Sequence, residues 1–348
     1  MEMALYDAEY GYYTTKTGII GQKGDFITAP ELSELFGHSI AKQIMAINAH
    51  YDNSVILEIG AGTGQLCLQI LTYLEKQNAL PQNYLILEVS AKLQAEQLRL
   101  LQAQAPHLLE RVKWLYTWPH DQFVGVVLAN EVLDAMPVHR FAINDGLVLE
   151  SQITWDVVNQ KLTEEFRPSK NQELCNYVNS LNLPANNYCS EVNLWMPGWL
   201  AGLKSCLEKG VVLLIDYGFP RREYYHEDRV MGTIMSHQLQ QSATDFLASP
   251  GLQDITAHVD FTHVAEQAHE LGFDILGYTP QAAFLIANGI LEMLAQINDP
   301  IIYHREATNL KLLLQSHEMG EIFKVMALGK DFQHDLQGFA LQDRRASL

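Results

Sequence analysis

The sequence predicts an α/β fold: an open, mostly parallel sheet of seven strands with helices on both faces. Segments 55–59, 84–89, 123–131 and 210–218 are apolar runs without polar alternation, as expected for parallel strands covered on both sides. Each run carries an acid at or near its end, Glu58, Glu88, Glu131 and Asp216. In a parallel sheet those ends gather along one edge, where open α/β sheets bind their ligands. The third observation is the stretch after the first run, where Gly60, Gly62 and Gly64 stand at alternate positions. Such glycines permit a tight strand-to-helix turn with bare backbone against a ligand.

Taken in order, residues 1–53 form an N-terminal helical segment. Thr28 and Glu31 have capping-box spacing with Pro30 between them, and Leu32, Leu35, Phe36, Ile40 and Ile44 then share one helical face. Residues 54–137 and 196–220 hold the core strands. Between them, 138–195 alternates short apolar and polar stretches and includes NQKLTEEFRPSKNQ, an insertion of strands or loops that contributes to a second lobe. Residues 221–260 are polar and rich in His, Arg and Tyr, a length more typical of a lid over an active site than of a plain connection. From 261 to 348 the pattern gives a helix at 261–271, a strand at 273–278, helices over 281–318 and a last core strand at 321–329.

Composition limits the function classes. A chain of 348 residues that is 48% hydrophobic has ample material for a large core. No run approaches the roughly 18 apolar residues of a membrane span, and MEMALYDAEYGYY lacks the pattern of a secretory leader. Cys67, Cys175, Cys189 and Cys206 show no C-x-x-C pairing and suit a reducing cytoplasm, the expected location. The net charge of −18 and the absence of a long basic run argue against a nucleic-acid partner.

The glycine spacing separates two cofactor classes. A dinucleotide fingerprint, G-x-G-x-x-G counted from Gly60, needs its third glycine at Gln65, so an oxidoreductase of that kind is disfavoured. Glu58 to Gly64 instead spells E-x-G-x-G-x-G, which resembles the first motif of S-adenosylmethionine (SAM) methyltransferases. The expected donor site is Glu58, Gly60, Ala61, Gly62, Thr63 and Gly64 with Glu88 and Asn130. Glu88, at the end of the second strand, can accept both ribose hydroxyls of a nucleoside.

Several blocks together resemble the MidA-type methyltransferases, which include mitochondrial complex I assembly factors acting on arginine. They are ALYDAEYGYYT (4–14), GDFITAPELSELFG (24–37), LEIGAGTGQL (57–66), ANEVLDAMPV (129–138), LIDYG (214–218), DITAHVDF (254–261) and MGEIFKVMALG (319–329). The resemblance implies a class I methyltransferase fold, SAM as methyl donor and a protein arginine acceptor, in the mitochondrial members on a complex I subunit. The chain departs from the family pattern at Thr63, where Arg or Lys is common, and at Val132 and Leu133, where aromatic residues are common.

Methyl transfer from a sulfonium is an in-line displacement, so the enzyme must bind the donor, hold the acceptor behind the methyl and exclude water. An arginine acceptor is protonated at pH 7 and presents a planar fork of donors. Paired carboxylates can accept those donors and take the proton as the new bond forms. The residues proposed for this work are Glu131 and Asp134 first, then Asp216, His258 and Asp260. Asp134 could instead cap a short helix, with Glu131 holding the donor's amino group, and His258 could serve only to order its loop. Asp254, His258, Asp260 and His263 lie close in sequence but lack metal-ligand spacing, so no metal is expected. Tyr10, Tyr12 and Tyr13 could line an acceptor slot or simply pack the N-terminal segment. Methylation of a small molecule or another side chain, and a low-turnover assembly factor retaining the fold, are the alternative functions. Methylation of a nucleic-acid base is disfavoured because ANEVLDAMPV lacks an N-P-P-aromatic tetrad.

Overall fold

The computed structural model describes residues 1–16, 18–21, 24–25, 27–238 and 241–348. Phe26, in the second sequence block, lies outside the described residues. Seven strands form the central sheet: β1 (Val55–Ile59), β2 (Asn83–Leu87), β3 (Val112–Leu115), β4 (Phe123–Asn130), β5 (Leu207–Phe219), β6 (Asp274–Pro280) and β7 (Phe323–Lys330). Their order across the sheet is β6-β7-β5-β4-β1-β2-β3. β1 to β5 run parallel, and β7 enters antiparallel between β5 and β6. The order reverses at β1 and β4, where chains leave in opposite directions and open a crevice beyond the strands' carboxyl ends.

Strand periodicity explains the two cores. Ile56, Val126, Leu128, Val211, Leu213 and Val325 face one side, against the helices Glu34–Asn48 and Gln65–Lys76. Leu57, Val127, Val212, Leu214 and Met326 face the other, against Met196–Cys206 and Phe261–Glu270. With both faces covered, every residue of β1 is buried, which accounts for its lack of polar alternation, Glu58 being its one acid.

The sequence missed β3. Four residues long and half exposed at the sheet edge, Val112–Leu115 carries too little apolar signal to stand out. The capping box also fails: Thr28 makes no side-chain cap bond, and Ala29–Leu32 forms one short turn of helix. The long helix starts instead at Ser33, whose Oγ accepts from the Leu35 amide at 3.2 Å. Glu31 turns toward the glycine loop and accepts from Thr63 Oγ1 at 2.5 Å.

The segment 138–195 contains four antiparallel strands, His139–Asn144, Leu147–Asp156, Lys161–Pro168 and Tyr188–Val192, with a helix at Gln172–Ser180. Within 221–260, Met235–Gln238, Gln241–Ala243 and Asp254–Thr256 make a small three-stranded sheet. Val259–Asp260 then pairs in parallel with the end of β5, so this segment is stitched to the central sheet at the crevice.

Candidate active site

A cavity of about 1240 Å³ opens at the carboxyl ends of β1, β2, β4 and β5. On one side its wall is main chain. Gly60, Gly62 and Gly64 hold φ of 64°, 53° and 87°, the left-handed region that side chains rarely adopt. Gly60 and Gly62 line the cavity with Ala61 and Thr63, whereas Gly64 lies behind them, packed 3.2 Å (as a Cβ would sit) from Gln97.

Glu58 and Glu88 face this end. Glu58 is buried and accepts from Tyr84 Oη at 2.7 Å; burial pushes its carboxyl up to about 7, the tyrosine opposing. Glu88 accepts from the Ser90 amide at 2.9 Å and from Gln97 Nε2 at 3.3 Å, and burial raises it as well. Gln97 was not foreseen. Its Nε2 also donates to Gly62 O at 2.9 Å and its Oε1 accepts from Trp114 Nε1 at 2.8 Å, so one amide ties the glycine turn, the β2 acid and β3 together. Nothing in its sequence context distinguishes it from any polar helix residue.

At the end of β4 the chain turns sharply. Glu131 takes a φ of 54°, unusual for a residue with a side chain, and its amide donates to Ile215 O at 2.9 Å. The next three amides, of Val132, Leu133 and Asp134, all donate to Asp216 Oδ2, at 3.1, 2.8 and 3.3 Å. Asp216 is therefore a scaffold for this turn. It is fully buried, does not line the cavity and has its oxygens filled by backbone, contrary to the expectation that it acts on the acceptor. Asp260 is likewise displaced from the expected role. It caps the helix Phe261–Glu270 through the Thr262 and His263 amides, accepts from Tyr177 Oη at 3.1 Å and stands 3.5 Å from Arg221 Nε, away from the cavity.

Glu131, Asp134 and His258 do line the cavity, and so does Asn130. Asn130 Nδ2 donates to Glu131 Oε1 at 3.0 Å, while its Oδ1 is buried without a partner. Burial pushes the Glu131 carboxyl up to about 8, with Asp134 adding to the rise. Asp134 accepts at Oδ2 from Tyr217 Oη, its Oδ1 has no partner, and burial lifts it to about 6 against that hydrogen bond. His258 stacks on Phe219 at 5.4 Å and meets Tyr217 edge-on at 5.0 Å. Burial, with Arg229 and Lys324 nearby, depresses its imidazole to about 4, so the ring is uncharged at pH 7 and a weak base.

The structure adds Asp254, which the sequence raised only as a metal ligand. It lies on the small sheet, lines the cavity and accepts from Tyr13 Oη at 2.8 Å. Burial, reinforced by Asp134, pushes it to about 7. Of the three N-terminal tyrosines, only Tyr13 lines the cavity: Tyr10 is exposed, and Tyr12 is a core residue bonded to Asp25. Tyr6 joins Tyr13 there, stacked at 5.6 Å. Tyr217 could have been read from LIDYG, because a strand's period of two turns it away from the buried Asp216. Among the described residues no group of three or more His, Cys, Asp or Glu could hold a metal.

The residues present fit a sulfonium nucleoside. The glycine turn leaves bare backbone at the cavity wall, Glu88 stands at the end of β2 to receive ribose hydroxyls, and Asn130 Oδ1 is a buried acceptor without a donor. Sheet order, glycine turn and acidic rim together define a SAM-dependent methyltransferase of class I fold. A family model for such methyltransferases matches residues 35–279. The chain belongs to this family, the MidA-type SAM-dependent methyltransferases.

It is similar to a superfamily protein from Burkholderia thailandensis crystallised with S-adenosylhomocysteine, at 36% identity and a TM-score of 0.94, covering 100% of this chain and 90% of that one. Among curated proteins, it is 25% identical to the mitochondrial protein arginine methyltransferase NDUFAF7 of Danio rerio, over 94% of this chain and 82% of that protein. The human protein of the same name is 27% identical, over 94% and 78%. SAM is thus the methyl donor, and the enzyme is a methyltransferase.

Proposed function

We propose that this enzyme is a protein arginine N-methyltransferase whose substrate is a respiratory complex I type subunit. One observation carries the arginine assignment. Three carboxyls, Glu131, Asp134 and Asp254, are held in one cavity, and no Lys or Arg is among the described residues that line it. All three are raised above the ordinary carboxylate range by burial. A bound cation would restore their ionised forms, and a guanidinium offers a planar set of donors suited to several carboxylates at once. The complex I assignment draws on the names of the curated relatives, NDUFAF7 among them. The free cysteines favour a reducing compartment, for which we take the cytoplasm.

When bound, SAM supplies the electrophilic methyl group. The chain's own residues do the rest by positioning. Glu88 and the glycine turn hold the nucleoside end, and Asn130 Oδ1 offers an acceptor beside it. Glu131 and Asp134 accept guanidinium N–H donors and draw positive charge from the attacking nitrogen. As the nitrogen gains the methyl it loses one proton, and the partnerless Asp134 Oδ1 receives it. Tyr217 holds the other oxygen, fixing the carboxyl's orientation. Tyr6, Tyr13 and Phe323 wall the site with aromatic surface that keeps water out.

The test is incubation with methyl-labelled SAM and lysate protein from cells lacking this chain, followed by acid hydrolysis. Labelled methylarginine supports the reading. Label confined to small molecules, or to another amino acid, refutes it.

A further inference from the structure

The three acids are not equivalent, and their surroundings divide the labour among them. Asp134 and Asp254 form a matched pair: each lies almost wholly buried in the cavity wall, and each gives one oxygen to a tyrosine, Asp134 to Tyr217 and Asp254 to Tyr13. In both, the second oxygen receives no hydrogen bond from a described residue. Asp134 Oδ1 has no partner, and the bonds to Asp254, from Tyr13 Oη at 2.8 Å and the Ile255 amide at 2.9 Å, both fall on Oδ1. Glu131 differs in its partner, which is the side-chain amide of the preceding residue, Asn130, and no tyrosine.

The two aspartates come from separate parts of the chain, yet they are locked together. The Ala257 amide donates to Asp134 O at 3.0 Å, joining the strand of Asp254 to the turn after β4. Tyr6, stacked on Tyr13, donates to Ala135 O at 2.9 Å, so the tyrosine pair spans the same two elements from the N-terminal side. Two carboxyls tied together in the wall of one cavity, each with an oxygen that receives no hydrogen bond from a described residue, suit a planar cation with several donors.

We propose that Asp254 is a further carboxylate of the acceptor slot: alongside Asp134 and Glu131 it holds the arginine guanidinium, while Tyr13 fixes its orientation. This rests on arginine being the acceptor, and it assigns distinct tasks within that site. Asp134 receives the proton that leaves the methylated nitrogen. Asp254 stays ionised against the charge that the methylated guanidinium keeps. The segment 221–260 and the N-terminal segment therefore each supply a working group to the slot, beyond covering it.

The pairing leaves a signature in pH. Asp254 is faced by Tyr6, Tyr12 and Tyr13 from the N-terminal segment, by Asp25, by Asp134 and Glu131 from the turn after β4, and across its sheet by His237. Burial and the neighbouring acids raise its carboxyl to about 7, and the Tyr13 hydrogen bond opposes them. Removing that hydroxyl should raise it further and move the acid limb of kcat/KM to higher pH, because that parameter reports the free enzyme.

The experiment measures kcat/KM against pH for methylarginine formation on the same lysate protein, in wild type, Asp254→Asn, Asp254→Glu and Tyr13→Phe, with S-adenosylhomocysteine affinity measured by calorimetry. Asp254→Asn is expected to keep that affinity and lose roughly 100-fold in kcat/KM, the scale of an unpaired charged contact. Asp254→Glu should recover part of the loss, and Tyr13→Phe should shift the acid limb upward. Near-normal methylarginine formation by Asp254→Asn overturns the inference and leaves the arginine reading intact. Loss of S-adenosylhomocysteine affinity in the same variant, or an unshifted acid limb in Tyr13→Phe, also overturns it. Absence of methylarginine with wild type removes the arginine reading and the inference with it.

Discussion

Replacement of Asp216 separates a scaffold from a catalyst. Its carboxyl accepts four backbone amides, those of Val132, Leu133 and Asp134 at Oδ2 and of Tyr217 at Oδ1, the last at 2.9 Å. Alanine would leave all four donors without partners in a fully buried place. At about 1–1.5 kcal/mol for each, the lower part of the range for buried unpaired groups, the loss is about 4–6 kcal/mol. With an unfolding entropy of about 2.1 cal/mol/K per residue, or about 0.73 kcal/mol/K for 348 residues, this lowers Tm by roughly 5–8 °C. Asparagine behaves differently. Its oxygen can take the place of Oδ2 and keep three amides, while its NH₂ opposes the Tyr217 amide at a cost of about 1–2 kcal/mol. Thermal melts, S-adenosylhomocysteine titration and turnover of both variants form the assay. Asp216→Ala should melt early and lose ligand affinity as the turn carrying Glu131 and Asp134 slackens, and Asp216→Asn should keep most of both and stay within about tenfold of normal turnover. Intact melting and affinity in Asp216→Asn, with turnover reduced a thousandfold or so, would show Asp216 to be a chemical participant and refute the scaffold argument.

At Gly62, where φ is 53° and a Cβ would stand 3.0 Å from Ile20 Cδ1, Gly62→Val should strain the turn, fill the cavity wall and abolish SAM binding, and normal calorimetric affinity would contradict this. Asp134→Asn should bind SAM normally yet lose methyl transfer by roughly 10²–10⁴-fold, the usual yield of a positioned base; full activity would remove Asp134 from the chemistry. The pH dependence of stability has a definite sign. Glu58, Asp134, Asp254 and Glu131 titrate in the folded state near 7, 6, 7 and 8, above their unfolded values, so the folded chain holds more protons between the ordinary carboxylate range and pH 8. Stability contributed by these groups is present below that window and lost as pH rises through it. Tm of the ligand-free enzyme should therefore fall between pH 5 and about 8; a Tm that rises across this interval would reject the assignment of raised values.

What could be read in advance follows from the range over which each feature is specified. The middles of β1, β4 and β5 are buried on both faces, so their side chains are mostly apolar and the runs announce themselves. The glycine turn is equally local, since the positive φ values fall on consecutive alternate residues. The acids were harder. Position at a strand end places Glu131 and Asp216 near the same edge, but it does not say which carboxyl is already filled by amides, and Asp216 is filled because Glu131 adopts a left-handed turn beside it. Asp260 misled for a similar reason: D-x-x at a helix start is a cap, and the helix Phe261–Glu270 begins one residue later. Asp254 was out of reach as an acceptor group, because its role depends on Tyr13, 241 residues away in the chain.

The departures from ordinary carboxyl behaviour have one common source. A buried carboxylate without a cation is costly, so a slot built from Glu131, Asp134 and Asp254, with no Lys or Arg among the described residues that line it, favours protonated acids while it waits. Binding a guanidinium reverses that preference, and protons must leave as the cation enters. The same groups that weaken the ligand-free fold as pH rises should then strengthen acceptor binding over that interval, because each proton already lost is one that binding need not expel. Stability and acceptor affinity are thereby predicted to move in opposite directions with pH, and a structural ion-pair network, which already contains its cations, would show no such opposition.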